Sequence, residues 1–116
     1  MSKPGYVPDK GDLIWLDFNP QAVHEQAGHR PALVLSAKLY NGRSGLMLCC
    51  PMTSKVKGHP FEVACPFGGT QGVVLADQIR NLDWKARKAK FQGKASAEVL
   101  AQVRAKLDAI LGPIES

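Results

Sequence analysis

The sequence predicts a mainly-β fold, a small antiparallel barrel or sandwich, with one α-helix at its C-terminal end. Short apolar runs rich in β-forming residues follow one another over the first three quarters of the chain. Turn-forming residues separate these runs, and no segment of helical length lies between them. Near the C-terminus the apolar residues change to a helical spacing. Closely spaced strands without intervening helices favour antiparallel pairing.

Five segments are predicted strands, and glycine, proline or asparagine bounds each of them. They are DLIWLDF (12–18), PALVLS (31–36), GLMLCCP (45–51), FEVAC (61–65) and GVVLADQI (72–79). Between the second and third runs, the dipeptide Asn41-Gly42 is a good signal for a hairpin turn.

The C-terminal segment is the predicted helix. Ser96 is its expected N-cap, and Gly112 and Pro113 supply its end. We expect the apolar face of this helix to pack on the sheet as core and not to bind a cofactor. The residues of that face are Leu100, Val103, Leu107, Ile110 and Leu111.

Length and composition indicate one domain over residues 1–116. The chain has 116 residues, of which 45% are hydrophobic, enough for one packed core. No run approaches the roughly 20 apolar residues of a membrane span. The N-terminus has no apolar stretch of the kind found in signal peptides. We therefore expect a cytoplasmic protein without a membrane association.

The cysteines and histidines do not predict a disulfide framework or a metal site. The cysteines are three in number, and two of them, Cys49 and Cys50, are adjacent in an apolar run where thiols are usually buried. His24 and His29 are five residues apart, a spacing that places them on one face of neither a helix nor a strand. The chain also lacks phosphate-binding glycine motifs of the Walker or dinucleotide type, so no cofactor is predicted.

Positive charge is concentrated in one segment. The formal net charge is +5 and the isoelectric point is near 9.3. From Arg80 to Lys94, six basic residues stand against Asp83 alone, so this segment carries six minus one, or +5, the excess of the whole chain. Such clustering is typical of proteins that bind a polyanion. A solvated surface without a partner is the alternative.

Two polar residues at strand ends are candidates for a phosphate site. Arg30 precedes Pro31, which restricts its backbone, and its planar guanidinium suits phosphate oxygens. Thr53 ends a strand in the segment PMTSKVKG and is followed by Ser54 and lysines. Each could instead satisfy only the local backbone. In the loop before Arg30, the imidazoles of His24 and His29 with the carboxylate of Glu25 could provide acid–base chemistry, or all three could be plain surface residues.

Four blocks of sequence, in the same order, resemble the MazF/PemK toxins of type II toxin–antitoxin systems. The blocks are YVPDKGDLIWLDFNP, EQAGHRPALVLS, YNGRSGLMLCCPMTSKVKGHPFEV and GVVLADQIRNLDWKAR. The similarity extends from about Tyr6 to Arg87, and the C-terminal helix agrees with it in position.

The resemblance implies a twisted antiparallel SH3-like barrel of the CcdB/PemK type with a C-terminal α-helix, assembled as a homodimer. It implies sequence-specific, metal-independent cleavage of single-stranded RNA that leaves 2′,3′-cyclic phosphate and 5′-hydroxyl ends. It also implies a MazE-like antitoxin whose disordered acidic tail covers the RNA-binding surface. Any association with DNA is expected to occur through that antitoxin.

The same resemblance assigns roles to individual residues. Arg30 of the GHRP motif and Thr53 of the P-x-T-S motif match the principal catalytic residues of the family, and Glu25 matches a supporting glutamate. His24 falls at a variable position and is not expected to act. The residues expected to contact RNA are Phe18, His29, Asn41, Ser54, Lys57, Gln78 and Arg87.

Two other functions are compatible with a small basic β-domain. One is a CcdB-like toxin that acts on DNA gyrase without nuclease activity. The other is an RNA-binding module that does not cleave. The gyrase-directed class does not need Arg30 and Thr53 in these motifs, and their presence also argues against a silent module.

Overall fold

The computed structural model describes residues 5–17 and 29–114, and within these ranges the chain forms seven strands and two helices. The strands are β1 (Asp12–Asp17), β2 (His29–Val34), β3 (Leu46–Thr53), β4 (Glu62–Ala64), β5 (Val73–Leu75), β6 (Arg80–Asp83) and β7 (Lys90–Lys94). The helices are α1 (Lys38–Ser44) and α2 (Ala97–Leu111), and a short 3-10 helix spans Ala76–Gln78. The predicted mainly-β class with a C-terminal helix is confirmed.

Every strand pairing is antiparallel, and β3 joins the two halves of the sheet. The strand order is β4-β5-β3-β2-β1-β7, with β6 paired to β3 beside this path. The first part of β3 pairs with β6 and β2, and its last two residues pair with β5. Over the described residues the path ends at β4 and at β7, so the sheet is twisted but not closed.

The central strands are buried on both faces, which explains why their sequences are apolar without strict alternation. One face packs against α2 through a cluster that includes Leu33, Cys50 and Val103. The other face packs around Trp84 in a cluster that includes Leu16 and Met47.

Helix α2 begins where the sequence predicts. The Ser96 hydroxyl oxygen accepts a hydrogen bond from the Val99 N–H at 3.1 Å, which confirms the N-cap. Val103 is fully buried. The expectation that the whole apolar face is core is wrong at its end, because Ile110 and Leu111 lie beyond the cluster and are exposed. In the described part of the chain, neither helix is long and apolar enough to cross a membrane.

The predicted hairpin turn at Asn41-Gly42 is wrong, because these residues lie inside α1. The Asn41 amide donates to the carbonyl oxygens of Pro8 at 2.7 Å and Ser36 at 3.0 Å. The indole N–H of Trp84 donates to the Asn41 carbonyl at 2.9 Å. These contacts with distant residues stabilise a helical turn at a dipeptide whose local preference is for a hairpin.

The basic segment forms two strands that the sequence analysis did not identify. β6 and β7 flank a turn in which Asp83 Oδ1 accepts the N–H groups of Lys85 at 3.0 Å and Ala86 at 2.9 Å. Trp84 anchors this turn in the core. The predicted strand at 72–79 is shorter, since β5 gives way to the 3-10 helix.

Candidate active site

Antiparallel pairing of β2 and β3 places Arg30 and Thr53 at the same end of the sheet. The β2–β3 pairs run from Val34 opposite Cys49 to Ala32 opposite Pro51. Arg30 lies two residues beyond the last pair along β2, and Thr53 lies two residues beyond it along β3, where β3 pairs with β5. Both residues therefore lie just past the same end of the β2–β3 ladder.

A groove of about 650 Å³ contains both residues in its lining. Its walls come from β1, β2, the end of β3, β7 and the loop 66–72. The volume falls in the range of small-ligand sites, which is about 300–1,000 Å³. The lining side chains able to donate hydrogen bonds include Arg30, Thr53, Ser54, Lys55, Gln71 and Lys94.

The backbone that follows Thr53 fixes the position of its hydroxyl. The N–H of Lys55 donates to Thr53 Oγ1 at 3.1 Å. The oxygen acts as an acceptor in this contact, so its own O–H group can donate to a ligand. Arg30, an exposed residue in the lining of the same groove, adds the donors of its guanidinium. Together they suit the oxygens of a phosphate.

A tight turn forms the opposite wall of the groove. Phe67 and Thr70 exchange two backbone hydrogen bonds, at 2.9 and 3.1 Å. Gly68 and Gly69 make this turn possible, since both have positive φ, 61° and 77°.

Gly72 allows β5 to approach β3 closely behind Thr53. A Cβ atom at this position would lie 3.3 Å from the carbonyl oxygen of Thr53 and 3.4 Å from that of Cys65. Both neighbours are backbone atoms of the sheet, which cannot move independently. A larger residue here would therefore push against the strand end that carries Thr53.

Three rings, which we call the aromatic column, stand beside the groove: His29, Trp15 and Phe67. The rings of Trp15 and His29 are stacked, with centroids 5.0 Å apart and planes 7° apart. Phe67 meets Trp15 edge to face at 5.6 Å. The Nδ1–H of His29 donates to Asp17 Oδ1 at 3.3 Å. Trp15 was missed because a tryptophan in an apolar run resembles a core residue, and Phe67 because it lies in a segment that its proline and glycines mark only as a turn.

Lys94 lines the groove and is held by a buried carboxylate. Its Nζ lies 2.7 Å from Asp12 Oδ1, while the Tyr6 hydroxyl donates to Asp12 Oδ2 at 2.7 Å. The hydrogen bond to Asp12 raises the pKa of Lys94, and burial together with Asp12 raises the pKa of Tyr6. The same lysine lines a second cavity of about 640 Å³ with Tyr6 and Phe91.

The remaining predicted RNA contacts fall at different places. Ser54 lines the groove, whereas Lys57 and Gln78 are exposed and lie outside its lining. Arg87 is half-buried and donates from Nη1 to the carbonyl oxygen of Asp17 at 3.1 Å, so it ties the turn after β6 to the end of β1.

The structure contradicts the prediction that Asn41 contacts RNA. Its side chain is fully buried and is engaged by Pro8 and Ser36, so it cannot reach a ligand at the surface. Two further predicted residues, Phe18 and Glu25, lie outside the described residues.

Cys49 and Cys50 are buried in the core, as predicted, and Cys65 is buried as well. Cys49, Cys50 and Cys65 are free thiols, and burial raises the pKa of each; Cys49 and Cys50 reach about 12. Such thiols are poor nucleophiles and poor metal ligands at neutral pH. Among residues 5–17 and 29–114, no group of three or more His, Cys, Asp or Glu side chains is arranged to hold a metal ion.

A protein-family model matches residues 9–111, and its description is a PemK-like, MazF-like toxin of a type II toxin–antitoxin system. The endoribonuclease toxin MazF of Escherichia coli K12 is 49% identical over 107 residues, covering 92% of this chain and 96% of the relative. The endoribonuclease toxin ChpB of the same strain is 37% identical over 109 residues, covering 89% and 93%.

Solved structures show the same fold. The crystal structure of MazF from Deinococcus radiodurans has a TM-score of 0.82 and 59% identity, covering 93% of this chain and 99% of that one. A crystal structure of MazE–MazF from the same organism has a TM-score of 0.80 and 54% identity, covering 92% and 97%.

Proposed function

This chain belongs to the PemK-like, MazF-like toxins of type II toxin–antitoxin systems, and on that premise we propose that its groove is where it cuts single-stranded RNA. The chain is an endoribonuclease toxin, as its relatives are. The observation that carries the assignment of the site is that Arg30 and Thr53, at the same end of β2 and β3, both line one groove. Cleavage is sequence-specific and inhibits translation.

The residues of the groove suit a reaction in which the RNA supplies its own nucleophile. The ribose 2′-oxygen attacks the adjacent phosphorus, the P–O5′ bond breaks, and the products are a 2′,3′-cyclic phosphate and a 5′-hydroxyl. Negative charge builds on the phosphorane oxygens during attack, and fixed donors aimed at that charge lower the barrier. Arg30 supplies the guanidinium fork and Thr53 the hydroxyl donor. No metal ion is needed to account for this stabilisation.

Arg30 acts by stabilising charge and not as the general base. A guanidinium group carries only hydrogen-bond donors and has no atom that accepts a proton. It therefore cannot accept the proton of the 2′-hydroxyl. A guanidinium also cannot be replaced by an ammonium without losing the bidentate geometry.

The partner of this toxin is a MazE-like antitoxin, as in the solved MazE–MazF complexes. An acidic antitoxin tail is complementary to the exposed lysines of the basic segment and competes with RNA for them. The exposed lysines of that segment are Lys85, Lys88, Lys90 and Lys94. The toxin works as a cytoplasmic homodimer.

The test is incubation of the purified protein with a long single-stranded RNA in EDTA, followed by mapping of the fragment ends. We expect discrete cuts that end in cyclic phosphate. Arg30→Ala should slow cleavage by about 10²–10³-fold or more, and Arg30→Lys should recover only part of the rate. Both variants should keep the wild-type circular dichroism spectrum.

Two results would contradict the proposal. One is RNA left intact by folded wild-type protein at every concentration. The other is a rate for Arg30→Ala equal to that of the wild type.

A further inference from the structure

We propose that His29 binds an unstacked base of the RNA substrate by stacking, and that the aromatic column exists to hold its ring flat for this purpose. The inference rests on the proposed function and adds a base-binding subsite to it. The sequence did not predict a role in RNA binding for either of the supporting rings, Trp15 and Phe67.

The geometry of His29 is that of a fixed platform. Trp15 supports one face of the imidazole, with the planes only 7° apart and the centroids at 5.0 Å. Asp17 holds one edge, because the carboxylate can only accept the Nδ1–H at 3.3 Å. Phe67 in turn braces Trp15 at 5.6 Å. A surface imidazole fixed at a face and at an edge has lost most of its rotational freedom before any ligand arrives.

The outer surface of the ring remains open. The His29 side chain is 51% exposed although Trp15 covers it from behind. The combination of a fixed ring and an open face points to a planar ligand.

The location of His29 links this platform to the cleavage site. His29 immediately precedes Arg30 at the start of β2, and Trp15 and Phe67 both line the groove. Single-stranded RNA is recognised through splayed bases that stack on aromatic side chains, histidine included. Because the ring is already ordered, little conformational entropy is lost when the base binds.

Two substitutions separate stacking from hydrogen bonding and charge. His29→Phe keeps a planar ring and removes the polar edge, whereas His29→Asn keeps a polar group near Asp17 and removes the ring. The probe is the RNA sequence cut by the wild type, with 2′-fluoro sugars that cannot attack the phosphate and a fluorescent label for anisotropy. We expect His29→Asn to weaken binding by about 5- to 150-fold and His29→Phe to stay within about threefold of the wild type.

A double-mutant cycle identifies the base. Abasic substitutions placed one at a time along the probe should include one position that weakens wild-type binding by as much as His29→Asn does. At that position, the loss of binding free energy when both changes are combined should be smaller than the sum of the two single losses. His29→Gln, a second variant without a ring, should behave as His29→Asn does, and thermal unfolding should confirm that all variants are folded.

The outcomes are distinct. If the wild type cuts RNA but His29→Asn binds the probe as well as His29→Phe does, the stacking subsite is wrong and the proposed function stands. Additive losses at every abasic position would also overturn it. If the wild type cuts no RNA, the proposed function fails, and the inference fails with it.

Discussion

At the proposed reactive pair, Arg30 and Thr53, short-range contacts decide which hydrogen-bonding groups each side chain can present. The N–H of Lys55 fixes the Thr53 oxygen and leaves its proton for a ligand. Pro31 restricts the backbone of Arg30, whose guanidinium has donors only. Both groups therefore present hydrogen-bond donors to a phosphate, and neither is suited to remove a proton.

Replacing Thr53 tests whether its hydroxyl takes part in the reaction. Thr53→Val keeps the shape of the side chain but removes the donor, and we expect kcat to fall by about 10²–10³-fold. Thr53→Ser keeps the hydroxyl and should retain a rate within about tenfold of the wild type. Single-turnover cleavage of the mapped RNA would measure both. Equal rates for Thr53→Val and Thr53→Ser would remove the hydroxyl from the mechanism.

Replacing Asn41 tests whether this residue stabilises the fold, as its burial indicates, or contacts RNA. Asn41→Ala removes the amide that donates to the carbonyl oxygens of Pro8 and Ser36. Each acceptor left without a hydrogen bond costs about 1–3 kcal/mol. We expect the free energy of unfolding to fall by at least about 2 kcal/mol, measured by urea denaturation. RNA affinity per folded molecule should not change. A loss of affinity with normal stability would return Asn41 to the RNA-binding surface.

The parts of the site that sequence predicted are those with a chemical reason to be exposed. Arg30 beside a proline and hydroxyls at a strand end are unusual in a core, so they were recognised as candidates. Trp15 was not recognised, because an aromatic residue in an apolar strand looks the same whether it lines a groove or fills a core. Lys94 was counted only as part of a charged segment, since its pairing with Asp12 depends on the β1–β7 register.

At the scale of elements, local signals succeeded where no distant contact opposed them. Helix α2 starts after Ser96 and ends before Gly112, as predicted, because capping depends on residues within one turn. The hairpin signal at Asn41-Gly42 failed because Pro8 and Trp84, far away in sequence, bind Asn41 in a helical turn. Strands β6 and β7 were missed because their charged sequences lack an apolar pattern.

The N-cap residue of α2, Ser96, does not line the groove, so replacing it tests the stability of the helix separately from the site. Ser96→Ala removes the acceptor of the Val99 N–H, so we expect a loss of about 1 kcal/mol in the free energy of unfolding. Ser96→Asp should restore the cap and the stability. The rate of RNA cleavage below the unfolding transition should be unchanged in both. If Ser96→Ala slowed cleavage in the folded protein, α2 would have to be coupled to the site.

At the scale of the whole molecule, the fold class followed from features that many residues share. Runs of β-forming residues and closely spaced turns define an antiparallel sheet without any single contact being known. The strand order and the two-sided core could not be derived in this way. They depend on β3 being long enough to pair with β2, β5 and β6 along its length.

The buried thiols make the stability of the whole fold sensitive to alkaline pH. Burial raises the pKa of Cys49 and of Cys50 from 9.0 to about 12 in the folded protein. Between about pH 9 and pH 12 the unfolded chain therefore releases protons that the native state keeps, so stability is retained below pH 9 and falls as the pH rises through this window. We expect a loss on the order of 1 kcal/mol for each thiol by pH 10.

Urea denaturation at pH 8, 9 and 10 measures this loss. The double variant Cys49→Ala/Cys50→Ala, although less stable at pH 8, should show a flatter dependence on pH over this range. Identical pH dependence in the wild type and the double variant would rule the thiols out as the cause.

The position of Arg30 and Thr53 at the same end of two central strands also bears on how the toxin is switched on. If they form the reactive pair that we propose, both already line the groove of the folded protein, and no rearrangement is needed to bring them there. An antitoxin that covers the groove would block access of RNA while leaving both residues in place. The delay before RNA is attacked would then equal the lifetime of the complex or of the antitoxin itself, and the toxin would add no lag of its own.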